Sequence, residues 1–205
     1  MSYSIHNQIE NKIIKSSKRT IFFADDFVKY GTSDNIRQVL FRLEKKQCIE
    51  RLAAGIYVKP KRDTVLGTIY PSIEEIAKEV AKRDKIRIAP TGIMAQYLLG
   101  LTTQIPLKAV YLTDGSPREI KIGNRILLFK RTVPKTFEIK DQLLYLIVQA
   151  FKAKGQEEVT LLFLKQITPA ILKVDRKMIE SQLRYAPVWI QKEINRLYYS
   201  NVYVD

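Results

Sequence analysis

Asp114, Glu119 and Lys121 are the residues of this chain whose types and spacing come nearest to a metal-dependent active site. Glu119 and Lys121 stand two apart, so on a strand both side chains point to one face. Restriction-type nucleases set an acidic residue near such a Glu-x-Lys pair to hold a divalent metal. In those enzymes the first carboxylate sits on a preceding strand, whereas Asp114 lies only five residues before Glu119, across a turn. A Glu-x-Lys pair also arises on any charged strand. The expectation is therefore a structural cluster: no catalytic residue, no metal, no cofactor and no enzyme activity.

A second group offers recognition rather than catalysis. Thr32, Ser33, Asn35, Arg37, Gln38, Arg42 and Lys45 fall within one short stretch, and Arg51, Lys59, Lys61 and Arg62 follow. Arg pairs in a bidentate way with guanine, and Asn or Gln with adenine, when a helix lies in the major groove. Lys and Arg beyond such a helix serve phosphates, which give affinity without reading sequence. These eleven residues are the candidate DNA-binding set.

Their usefulness depends on the elements that carry them. Ile5, Ile9, Ile13 and Ile14 recur at helical spacing, so Ser4–Ser17 reads as an amphipathic helix. Phe22 and Phe23 introduce a short second helix, Ala24–Tyr30, with Gly31 as a left-handed cap. Thr32, Ser33 and Asp34 are N-cap chemistry for a third helix, on which Ile36, Val39, Leu40 and Leu43 form one apolar stripe. Asn35, Arg37, Gln38, Phe41, Arg42 and Lys45 lie off that stripe. Ile49–Leu52 and Ile56–Lys59, joined by Ala53-Ala54-Gly55, read as a two-stranded hairpin. Three helices and a hairpin make a winged helix-turn-helix, with the third helix in the groove and the hairpin as wing.

Charge supports an anionic partner for this segment. The 205 residues carry 35 Lys and Arg against 21 Asp and Glu, a net charge of +14 and a pI near 9.8. Residues 1–62 contribute +7 and residues 63–205 the same amount over more than twice the length. Nucleic acid, an acidic protein and a membrane surface all suit such a balance. No apolar run is long enough to span a bilayer, and the first fifteen residues lack the apolar core of a secretion signal. Cys48 alone cannot form an intramolecular disulfide, and with His6 it cannot build a structural zinc site. A reducing cytoplasm is the expected setting.

After the polar KPKRDT stretch (Lys59–Thr64) a second domain is expected over 63–134. Ser72–Arg83 reads as a helix opened by a Ser72–Glu75 capping box. Ile86–Ala89, Lys108–Thr113, Glu119–Ile122 and Arg125–Lys130 read as strands, the last two joined at Gly123-Asn124, and Thr91–Leu99 as a helix ended by Gly100. "APTG" lacks the Gly-Lys-Ser/Thr of a phosphate loop. The tail, 135–205, reads as helices over Ile139–Lys152, Glu157–Gln166, Arg176–Tyr185 and Pro187–Tyr199. It is rich in aromatics: Tyr185, Trp189, Tyr198, Tyr199 and Tyr203. These suit either core packing or a partner-binding surface. The fold class expected is α+β: winged helix, small α+β domain, helical C-terminal region.

The run IRQVLFRLEKKQCIERLAAGIYV (Ile36–Val58) resembles the opening domain of AbiEi-type antitoxins. Arg37, Leu40 and Leu43 match the helix pattern of that family, and Gly55 and Tyr57 its wing motif. Ala89–Thr132 resembles the middle region of uncharacterised relatives grouped with it. The resemblance implies a DNA-binding protein that represses its own operon and counteracts a nucleotidyltransferase-like toxin, so promoter DNA and that toxin are the partners implied. The last seventy or so residues depart from the family pattern. Oligomeric state is expected to be monomer or weak dimer. The competing reading is a protein-interaction adaptor whose winged helix binds no DNA.

Overall fold

The computed structural model describes residues 4–202. It is a mixed α+β structure with a helical C-terminal part. The chain divides into two compact units, Met1–Val80 with Lys121–Asn124, and Ala81–Ile120 with Arg125–Asp205.

In the first unit, the Ser4 hydroxyl accepts from the Asn7 N–H and opens α1 (Ile5–Lys15), whose Ile9 and Ile13 are buried. β1 (Ile21–Phe23) follows, then a 3-10 helix over Ala24–Tyr30. α2 (Ser33–Lys45) leads to β2 (Glu50–Ala53) and β3 (Ile56–Val58). β3 lies between β1 and β2, antiparallel to both, which is why Ile56, Tyr57 and Val58 are all buried. Ile9, Ile13, Phe22, Phe27 and the α2 stripe share one core.

The short helix expected over Ala24–Tyr30 is present with those bounds, as a 3-10 helix. Two expectations change here. Ile21–Phe23 is a strand, because its three apolar residues find a pairing edge on β3. Gly31 is extended, with φ 170°, so it is no left-handed cap; a Cβ there would lie 2.8 Å from Ile5 Cδ1, and close approach is what glycine allows.

The expected linker after Lys59 is also a strand. β4 (Lys61–Asp63) pairs antiparallel with β5 (Gly67–Ile69). Asp63 Oδ1 accepts from the Val65 and Leu66 N–H groups and pins the turn. A domain boundary at residue 62 would therefore cut a hairpin. The division between units falls instead within α3 (Ile73–Asp84), whose start carries the expected capping box: Glu75 N–H donates to Ser72, and Ser72 N–H to Glu75.

The second unit contains β6 (Ile88–Pro90), α4 (Ile93–Leu98), β7 (Lys108–Thr113), the first three residues of β8 (Arg118–Ile122) and β9 (Arg125–Arg131). The sheet order is β6-β7-β9-β8, with β7 and β9 parallel and β6 antiparallel to β7. Alternate residues Ala109, Tyr111, Leu127 and Phe129 are buried. α5 (Gln142–Lys154) is buried from Leu144 to Phe151 and so runs through the centre of this unit. α6 (Leu161–Ile171), α7 (Arg176–Gln182) and α8 (Val188–Val202) surround it. Ala89 and Ile139 belong to the same core as these helices, so the regions expected at 63–134 and 135–205 are not separately packed. Trp189 packs edge-on to Phe151 at 6.0 Å, and Tyr198 is buried, so these aromatics are core residues; Tyr203 lies outside the described residues.

Candidate nucleic-acid interface

Thr32 sets the start of α2, its hydroxyl accepting from the Asn35 N–H at 3.4 Å. Ile36, Val39, Leu40 and Leu43 are buried, which turns the rest of the helix outward. Ser33, Asn35, Arg37, Gln38, Arg42 and Lys45 all lie outside that buried stripe, and Arg37, Gln38 and Arg42 are exposed. At 100° per residue, Gln38, Phe41 and Lys45 lie opposite the buried stripe, flanked by Arg37 and Arg42. Phe41 is 58 % exposed, and the Lys45 ammonium sits 5.4 Å from its ring centroid. This aromatic was absent from the candidate set, and its signal was an apolar residue off the stripe. Asp34 approaches Arg37 at 3.6 Å, but both are largely exposed and solvent screens the pair.

The basic residues beyond α2 divide by what they already hold. Arg51 is exposed on β2, with Nε donating to the Ala53 carbonyl at 3.4 Å beside a bulge. The Gly55 turn has φ +71°. Arg62 donates to Gln47 Oε1 at 2.9 Å, and Gln47 has φ 57° just past the end of α2. The Tyr70 hydroxyl reaches Glu50 at 2.5 Å, which takes up one of the few acids near this surface. Lys61 is exposed on β4.

Lys59 stands apart. Its Nζ donates to the Ile14 and Ser16 carbonyls at 2.6 and 2.7 Å, capping the end of α1. Its three donors are mostly committed inside the chain, so it leaves the phosphate-contacting set.

A family model described as "Family of unknown function (DUF6088)" matches residues 8–180. This chain belongs to DUF6088. The match takes in all of α2 and the β2–β3 hairpin and ends before α8. A crystal structure of the RV2827C protein from Mycobacterium tuberculosis is similar over 96% of this chain and 76% of that one, with a TM-score of 0.50 and 10% sequence identity. That likeness concerns the fold alone. No curated protein matches the chain.

Asp114, the first carboxylate of the cluster in this DUF6088 chain, is already engaged. Arg87 holds Asp114 through its backbone N–H and its Nε, each at 2.8 Å. The side-chain hydrogen bond from Arg87 keeps the Asp114 carboxyl below the usual carboxylate range. Arg87 also stacks on Phe137, 4.6 Å from the centroid. Glu119 and Lys121 lie on β8, both exposed. No group of three or more His, Cys, Asp or Glu suited to a metal comes together among the described residues. No helix among them is long and apolar enough to cross a membrane.

Proposed function

We propose that this chain is a DNA-binding regulator whose first unit is a winged helix-turn-helix reading duplex DNA through α2. The observation that carries the reading is the outward face of α2, where Arg37, Gln38, Arg42 and Lys45 surround an exposed Phe41. The order α1, β1, 3-10 helix, α2, β2, β3, with β3 central in its sheet, is the element order of that fold. Arg37 and Gln38 would pair with base edges, and Phe41 would meet a thymine methyl. Arg42, Lys45, Arg51, Lys61 and Arg62 would meet phosphates, while Thr32 and Ser33 stand at the helix N-terminus where backbone N–H groups favour anions. The AbiEi-type resemblance extends the proposal to the promoter of its own operon as target and a nucleotidyltransferase-like toxin as partner.

The test is anisotropy titration of the full chain against its own promoter duplex and a scrambled duplex at several salt concentrations. Wild type should prefer the promoter. Arg37→Ala or Gln38→Ala should erode that preference by about 1–3 kcal/mol. Lys61→Ala should weaken both duplexes alike. Absence of binding to either duplex would return the chain to the adaptor reading.

A further inference from the structure

A cavity of about 330 Å³ lies in the second unit, between α5, the 3-10 turn Pro134–Phe137 and the turn before α8. That size falls within the range of small-molecule sites. Ile139 and Val148 give it an apolar wall, and its charged residues are Lys135 and Lys152; no Asp or Glu lines it. Neither ammonium group forms an ion pair or hydrogen bond among the described residues. Both lysines are exposed residues, and desolvation where the Lys152 side chain meets the protein pushes its ammonium down from its ordinary range.

One polar group on the wall is open to a bound molecule. Gln149 is 3% exposed; its amide oxygen accepts from the Thr91 hydroxyl at 3.1 Å, and its amide nitrogen has no partner among the described residues, so it can donate into the cavity. The Tyr145 hydroxyl also lacks a hydrogen-bond partner, but it is fully buried behind the wall and is no ligand contact.

We propose that this cavity binds a small organic anion: an apolar body bearing one carboxylate, sulfonate or phosphate group. The ammonium groups of Lys135 and Lys152 take the anionic head, and Ile139 and Val148 take the apolar body. The anion supplies the counter-charge that neither ammonium has among the described residues, and charge-assisted hydrogen bonds are stronger than neutral ones. The Gln149 amide helps fix its orientation. This site is independent of the DNA-reading proposal.

The probe is 1-anilinonaphthalene-8-sulfonate, with N-phenyl-1-naphthylamine as its uncharged counterpart, titrated by fluorescence into the full chain. Saturable binding of the sulfonate at one site is expected. Lys135→Met and Lys152→Met should each weaken the sulfonate about tenfold, or 1.4 kcal/mol, and leave the uncharged dye within about twofold. Lys152→Arg should keep most of the affinity. Should Lys152→Met fail to fold, the wild-type protein decides by competition: 1-naphthoate should displace the bound sulfonate and 1-naphthol should not. Equal displacement, equal losses for both dyes, or no saturable binding overturns the proposal.

Discussion

Single residues carry three predictions. Lys59 was an attractive phosphate contact in the sequence, yet its ammonium satisfies the Ile14 and Ser16 carbonyls at the end of α1. Lys59→Met should therefore cost stability, about 1–2 kcal/mol for hydrogen bonds from a charged group near the surface. It should leave the salt dependence of DNA binding unchanged, and chemical denaturation beside a salt titration separates the two effects. Asp114 supplies the second prediction. Its folded pKa is depressed by Arg87, so its contribution to stability is present above the ordinary carboxylate pKa and is lost as pH falls through the lowered value. Arg87→Ala removes the side-chain donor but keeps the backbone N–H, so the Asp114 pKa should rise towards the ordinary value of about 3.9 without reaching it. A carboxyl NMR titration checks this; an unmoved Asp114 would remove Arg87 as the cause. Glu119→Gln should alter no DNA-related activity, with or without magnesium.

At the scale of the element, α2 has two faces that should respond oppositely to truncation. Leu40 is fully buried, and Leu40→Ala should cost about 2–5 kcal/mol. Phe41, its neighbour in sequence, is mostly exposed, so Phe41→Ala should change stability by less than about 0.5 kcal/mol while weakening binding to the promoter. Thr32→Ala removes the acceptor at the helix start and should cost about 1 kcal/mol. Thermal melts and DNA titrations of the same three variants distinguish the structural face from the face proposed to meet DNA. A Phe41→Ala variant that melts like Leu40→Ala would show that the aromatic is packed rather than presented.

The whole molecule adds charge and cooperativity. With a net +14, the chain should bind any duplex weakly at low salt, and the logarithm of affinity should fall linearly with the logarithm of salt. Replacing Arg42 and Lys45 together should flatten that line by about two units of slope, roughly 0.9 for each phosphate no longer neutralised. Cooperativity bears on how the tail can be studied. Ala89 and Ile139 share a core with α5, α6 and α8, so deleting 135–205 would strip the second unit of its centre rather than detach a module. Such a truncation should lose protection of the β7 and β9 amides in hydrogen exchange. Point substitutions are the sound route to any partner surface there.

The sequence by itself determined the parts ruled by local periodicity and local hydrogen bonding. α2, its Thr32 cap and its Ile36–Leu43 stripe were legible because helical spacing and capping act within a few residues. The Ser72–Glu75 capping box and the β8–β9 hairpin were legible for the same reason. The candidate face of α2 followed directly, since a helix that buries one stripe must expose the other. Only the tertiary structure decided what depends on distant partners. Ile21–Phe23 became a strand because β3 offers an edge, and Lys61–Asp63 because Gly67–Ile69 returns beside it. Lys59 is claimed by the end of α1, 45 residues before it at Ile14, and Asp114 by Arg87, 27 residues away. The cavity beside Lys135 and Lys152 draws on residues from Val133 to Pro187. A charge has no periodicity to announce its partner, so the pairing of each lysine and carboxylate appears only when the chain is folded.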